Sequence, residues 1–405
     1  MREGMKSWIV TPRDPVIVRD GRPFGPDPGA RSESLPFPYP STIAGAVRTR
    51  HGQQHGGFGT GGVTPDSVLS LSVQGPFLVQ LADHQSTDGA QLLLPAPHDA
   101  LLLQKTATMP VERSRLRPLA VDSEARSDLN DTDSSLWYVG MPAPDKSKPY
   151  SKAPTFWWWP AYQAWLEDPQ DGAIDDAMLG IRGLVKERRV HVRIDADSGS
   201  ADEGFLFQTS GLEFSQQLRR NGSSLPQWAL AATKTYGIYV ATQANISAGV
   251  GSLGGERRTV FWQRAERIGT HTCPEEIKKA ISQAKACRMI LATPALFADG
   301  WKPRFDWLGI SGLQVAVKAA IVNRYDVVSG WDYAAQRPKK TRRLVPAGAV
   351  YYLSLAGSDA GAIEQFIDRV WFQPASDAEQ DRLDGFGTAL LGTWNGKQTK
   401  QEVQQ

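Results

Sequence analysis

A chain of 405 residues with 41% hydrophobic composition is long enough to bury two cores, which excludes a peptide, a tail or a disordered linker. With 45 Lys and Arg against 43 Asp and Glu the net charge is only +2, so an anionic partner has to be met by local clusters rather than by the field of the whole chain. Two cysteines, Cys273 and Cys287, exclude a disulfide framework and a CxxC site, and MREGMKSWIVTPRDP lacks a signal-peptide core. No run approaches the roughly 20 apolar residues of a membrane span, so the expectation is a soluble, cytoplasmic protein with no membrane partner.

The first strand is predicted over 7–19, where Trp8, Val10, Val16 and Val18 alternate around Pro12 and Pro15. After a Gly- and Pro-rich loop, Pro36, Pro38 and Pro40 stiffen the chain, and Ser41 or Thr42 starts a short helix ending near Gly52. Small residues Ala44, Gly45 and Ala46 would let that helix approach a sheet. SVQGPFLVQL and QLLLPAPHDALLLQ read as strands, the second interrupted at Pro95 and Pro97. The order strand, helix, strand, strand is half of a ferredoxin-like unit. The acidic segment 113–151, with Asp122, Glu124, Asp128, Asp131 and Asp133, reads as an exposed insertion, and FWWWPAYQAWLED reads as a helix.

From Val185 onward RRVHVRIDADSGSADEGFLFQTSGLEF, YGIYVAT and GGERRTVFWQ read as strands separated by turns. PEEIKKAISQAK is the clearest helix, with Pro274 at its start and acids in its first turn. MILATPALF, LQVAVKAAIV and RLVPAGAVYYLSL then read as strands, GAIEQFIDRVW as a helix, GFGTALLGTW as a closing strand and GKQTKQEVQQ as a frayed tail. The organisation is an α+β chain divided into domains 1–270 and 271–405, with long loop insertions.

GVGSLG at 249–254 and GFGTGG at 57–62 both satisfy GxGxxG, but neither sits between a strand and a helix, so neither predicts a dinucleotide site. Within GSLGGERR, glycines beside Arg257 and Arg258 fit a phosphate cradle and an ordinary bulged turn equally well. Three basic groups stand out: Arg13, Arg19, Arg22 and Arg31; Arg182, Lys186, Arg188, Arg189 and Arg193; and Arg337, Lys339, Lys340, Arg342 and Arg343. Beside aromatics and glycine loops they favour RNA, which is held by backbone contacts and stacking, although a charge run is most often a solvated face. Among 13 tryptophans most are core, and the minority reading of an aromatic platform leaves a carbohydrate-binding module as a distant class. His51 and His55 have i, i+4 spacing without a third ligand, and His98 with Asp99 reads as a turn before it reads as a base. No GxSxG or GxxxxGK[ST] occurs, and no metal, cofactor or catalytic residue is predicted.

Taken in order, RDPVIVRDGRPFG, LPFPYPSTIAGAVRTRHG, LPAPHDALLL, GSLGGERR, ILATPALFADGWKP, SGWDY and RRLVPAGAVYYL resemble the third subunit of the Cmr effector complex, the type III-B CRISPR-Cas surveillance machine of the RAMP superfamily. The resemblance runs along almost the whole chain. It implies two packed ferredoxin-like, RRM-related domains without a catalytic centre. It also implies capture of the repeat-derived 5′ tag of the CRISPR RNA, pairing with the large polymerase/cyclase-type subunit, and contact with other Cmr RAMP subunits. The RNA-binding residues it implies are Arg19, Arg22 and Arg31 of the first loop, Ser41 and Thr42 at the helix start, Arg48, and Gly254, Gly255, Glu256, Arg257 and Arg258. The rival is a metal-independent CRISPR RNA-processing endoribonuclease of the same superfamily, built around a histidine. The chain departs from the family pattern in the long acidic insertion and in Arg188, Arg189 and His191, where a smaller turn is expected.

Overall fold

The computed structural model describes residues 4–19, 31–32, 34–59, 61–82, 86–120, 136–143, 145–217, 233–268, 272–332 and 337–400. Two sheets organise them. The larger runs, from one edge, through Gly180–Ile181, Phe156–Trp158, Gln91–Pro95, Val73–Leu81, Thr233–Thr242, Lys6–Pro12, Arg258–Arg264 and Gly249–Leu253, with Ser215–Gln217 added beside 233–242. Its strands alternate: Trp8, Val10, Ile238 and Val240 lie in one buried cluster, while Ile9, Phe77, Val79 and Tyr239 lie in another. The first cluster is closed by helix Pro40–Gln54, which sets Ile43, Ala44 and Val47 on the sheet. Gly45 is exposed with open space around it, so Ala44 rather than Gly45 gives the close approach.

Several elements depart from the expected bounds, each for a local reason. The strand predicted over 7–19 stops at Pro12, and the chain then leaves the sheet so that Val16 exchanges backbone hydrogen bonds with Leu212. Pro15 has no N–H to continue a ladder. Trp157 and Trp158 belong to a short strand paired with Leu94 and Leu93, and the helix begins only at Trp159, with Pro160 in its first turn. QLLLPAPHDALLLQ divides into Gln91–Pro95 and Ala100–Gln104, which lie in different sheets. The segment expected as an exposed insertion, 113–151, is structured at both its ends, since Arg117–Ala120 pairs with Tyr138–Gly140 and buries Leu119; the acids at 122–133 lie outside the described residues. The tail pairs through Thr399 and Lys400 with the same segment. Val185–Ile194 and Ala201–Glu213 form one long hairpin.

The second sheet places Ala316–Ile321, Val350–Ser354, Ala286–Leu291, Thr388–Thr393 and Gln373–Pro374 side by side. Helices Glu275–Ala284, Ala360–Val370 and Glu379–Asp384 belong to it, the first opened by Pro274 with Glu275 and Glu276 in its first turn. The division expected at 270/271 falls on 269–271, outside the described residues. One apolar cluster joins Phe77, Val79 and Tyr239 to Ile281, Met289, Tyr351, Phe366 and Leu390, so the two sheets share a core. Across this seam Arg288 and Asp99, both fully buried, form an ion pair. Trp165 donates to the same carboxylate at 2.9 Å, and Arg288 also donates to the Thr393 and Trp165 carbonyls at 3.0 and 2.6 Å. Such a pair offsets its desolvation only because nearly every polar atom has a partner.

Candidate nucleic-acid interface

The glycine-rich motif forms the turn of the hairpin Gly249–Leu253 and Arg258–Arg264, where Leu253 faces Arg258. Gly254 has φ +72°, and a Cβ there would stand 2.4 Å from the Ile17 carbonyl oxygen, so only glycine fits. Gly255 donates its N–H to that same oxygen at 2.7 Å. Glu256 and Arg257 then take left-handed conformations at φ +56° and +49°, which turns the exposed Arg257 outward. Arg257 has no ion-pair partner among the described residues. Arg258 lies half-buried with its Nη2 donating to Glu256 at 2.6 Å, in a crevice completed by Pro15, Ile17, Glu187, Arg189, Thr209 and Gly211. Its Nε is buried without an acceptor among the described residues.

The base of the hairpin is built just as specifically. Arg50, on helix Pro40–Gln54, donates to the Ser247 carbonyl at 3.0 and 2.8 Å and to Val250 at 2.9 Å, and lies over the Trp262 ring. Gly251 is the residue that leaves room for Arg50 and Trp262. The first glycines of GVGSLG therefore serve packing, and the strand that follows them leaves no helix N-terminus for a pyrophosphate.

Of the residues expected to bind RNA, Gly254, Gly255, Glu256, Arg257 and Arg258 share this turn, and Arg19 is exposed on the segment that docks against it. Arg31 lies where the chain pairs in parallel with Gln208 and Thr209 of the long hairpin, and Arg22 lies outside the described residues. Ser41 and Thr42 stand half-exposed at a helix start that has no side-chain cap. Arg48 is elsewhere: it is buried on the seam, paired with Asp384 at 2.6 Å and donating to the Leu69 and Leu71 carbonyls at 3.1 Å. Its geometry is that of a brace between the two sheets.

The histidines divide in the same way. Burial pulls the His98 ring down to about 4, against the opposing pull of Asp99, and its backbone N–H is tied to the Gly348 carbonyl at 2.8 Å. His51 and His55 stack with centroids 4.1 Å apart, their Nδ1 atoms facing the carbonyls of Asn245 and His51. No group of three metal-ligating side chains occurs among the described residues, and no described helix is long and apolar enough to cross a membrane. Sequence reading missed Asp14 and Ile17 as the anchors of the glycine turn; Asp14 accepts from the Thr259 N–H at 3.2 Å. The position of Asp14 beside Pro15, at the point where the strand must break, was the signal available.

A family model described as CRISPR-associated protein (Cas_Cmr3) matches residues 8–394, and the chain belongs to that family. Among solved structures, a chain of the cryo-EM structure of the Type III-B Cmr-beta bound to cognate target RNA and AMPPnP, state 1, is similar at 16% identity and a TM-score of 0.41, with 86% of each chain covered. A chain of the cryo-EM structure of the Type III-B Cmr-beta bound to cognate target RNA is similar at 14% identity and a TM-score of 0.42, again over 86% of each chain. No curated protein matches the sequence.

Proposed function

We propose that this member of the Cas_Cmr3 family is the third, non-catalytic subunit of a cytoplasmic type III-B Cmr effector ribonucleoprotein. There it holds the repeat-derived 5′ tag of the CRISPR RNA and pairs with the large polymerase/cyclase-type subunit and other Cmr RAMP subunits. Two ferredoxin-like, RRM-related domains, 1–270 and 271–405, are part of the reading. In chain order the central strands of each sheet lie fourth, first, third, second, with antiparallel neighbours, as in a βαββαβ unit.

The observation that carries the RNA reading is the glycine turn, which is rigidly docked on Ile17 and yet presents Arg257 to solvent beside the segment bearing Arg19. A fixed backbone with an outward guanidinium suits a phosphodiester, whose contacts position the strand without reading its bases. Fluorescence anisotropy across a salt series, with and without the 5′ tag, tests it on the Arg257→Ala, Arg258→Ala variant. Affinity is expected to fall and the salt slope to flatten by about 0.7 per lost phosphate contact. Unchanged affinity and slope would remove the turn from the interface. Specific cleavage of repeat RNA in EDTA, lost on His51→Ala or His98→Ala, would replace the scaffold by a metal-independent endoribonuclease.

A further inference from the structure

Residues 324–357 contain Arg324, Arg337, Lys339, Lys340, Arg342 and Arg343 against two acids, Asp326 and Asp332. Residues 326–332 and 337–344 of this stretch build one bent hairpin. Asp326–Val328 pairs with Arg342–Leu344, Trp331–Asp332 pairs with Arg337–Pro338, and between them the Lys339 N–H donates to the Gly330 carbonyl at 2.7 Å.

Its two faces differ. On the inner face Val328 and Leu344 are buried with Tyr39 and Phe386, and Asp326 accepts a hydrogen bond from the Tyr39 hydroxyl. Arg342 on that face pairs with Asp381 at 2.6 Å. The outer face carries Tyr325, 45% exposed, Val327 and the exposed Arg343, whose guanidinium lies 4.6 Å over the Tyr325 ring. Lys339 and Lys340 are exposed on the same hairpin. The inner face thus welds the hairpin to the start of helix Pro40–Gln54 and leaves Tyr325 positioned under Arg343, with Lys339 and Lys340 exposed further along the same hairpin.

This place is continuous with the glycine turn. Gly255 donates to Ile17, the Leu35 N–H donates to the Val18 carbonyl at 2.8 Å, and Leu35 packs in the cluster that holds Tyr39, Val328 and Leu344. We propose that the outer face of the hairpin is a second contact for the RNA strand held at Arg257, with Tyr325 stacking on a base and Lys339, Lys340 and Arg343 meeting phosphates. The inference rests on the RNA reading above. The composition favours RNA over a protein partner, because protein interface cores are depleted in lysine, whereas single strands are held by an aromatic ring among cations.

The test uses the full chain and fluorescein-labelled oligouridylate in anisotropy titrations over a salt series. Tyr325→Leu is expected to weaken binding roughly five- to hundredfold and Tyr325→Phe to stay near the parent. The variant with Lys339→Ala, Lys340→Ala and Arg343→Ala is expected to lower the salt slope by about 2, with unchanged thermal melting because all three side chains are exposed. If these variants bind as the parent does while Arg257→Ala, Arg258→Ala weakens binding, the RNA reading stands and this contact is overturned. Loss of the large subunit in co-purification with RNA affinity intact also overturns it, in favour of a protein surface. A parent chain that binds no RNA overturns both readings.

Discussion

The N-terminal sheet carries its crossover helix, Pro40–Gln54, between its first and second central strands, whereas the C-terminal sheet carries Ala360–Val370 between its third and fourth. Each lacks the helix the other has. In the N-terminal sheet the missing crossover is replaced by residues 243–257, which make the glycine hairpin at the sheet edge and leave Arg257 exposed. In the C-terminal sheet it is replaced by 292–315, a looped segment with one short 3-10 turn at Asp306–Leu308. The core that the N-terminal sheet would have shared with a second helix is supplied by the other unit, through the cluster spanning Phe77, Tyr239, Met289 and Leu390. A missing helix thus has two consequences: it leaves an exposed loop at the sheet edge, and it makes the two units depend on each other.

Because of that dependence, the largest effect comes from breaking the seam. Asp99→Ala leaves Arg288 as an unpaired charge at zero exposure and is expected to destabilise the chain by about 3–5 kcal/mol in urea denaturation. Asp99→Leu combined with Arg288→Met should cost less than Asp99→Ala alone, since no buried charge is left. Arg48→Ala is expected near the lower end of that range, about 3 kcal/mol, because the Arg48–Asp384 pair is slightly solvated. Its RNA affinity should be unchanged at temperatures where it is folded; a selective loss of RNA binding would return Arg48 to the interface.

His98 tests the same seam through pH. Between the ordinary histidine value of 6.5 and about 4 the ring is neutral in the folded chain and protonated in the unfolded one. The unfolded state then binds more protons, so stability is full above about pH 6.5 and is lost as the pH falls towards 4. The loss is on the order of 3 kcal/mol. Melting temperatures of His98→Asn and the parent, compared from pH 7 down to 4, should converge at the acid end. Parallel curves would mean that the ring is charged or solvated in the folded chain.

Much of each sheet was legible in the chain. Pro274, Glu275 and Glu276 marked a helix start, and the alternation of Trp8 and Val10 marked a half-buried strand. Trp157 and Trp158 were read as helix because a short apolar run next to a real helix has no period of its own; pairing with Leu94 and Leu93 decided it. The seam was not legible, because Arg48 and Asp384 lie 336 residues apart and Asp99 and Arg288 lie 189 apart. For the same reason Arg48 and Arg257 looked alike: each is an arginine in a matching motif, and only the fold shows that one faces a carboxylate and the other faces water.

The smallest effects separate binding from folding within the glycine turn. Gly254→Val places a Cβ against the Ile17 carbonyl in a left-handed conformation and should cost about 1–3 kcal/mol, lowering stability and RNA affinity together. Arg257→Ala removes an exposed side chain, so its melting temperature should stay within the equivalent of about 0.5 kcal/mol of the parent. Its conformation at φ +49° suits alanine no better than arginine, and the unfolded chain changes little, so no compensating backbone gain is expected. What should change is the salt slope of RNA binding, by about 0.7. Arg48→Ala and Arg257→Ala are then opposites, the first unstable with parental affinity and the second stable with weakened affinity. If both variants lost stability and affinity in proportion, the division between a supporting seam and a binding turn would fail, and the RNA strand would have to cross the seam itself.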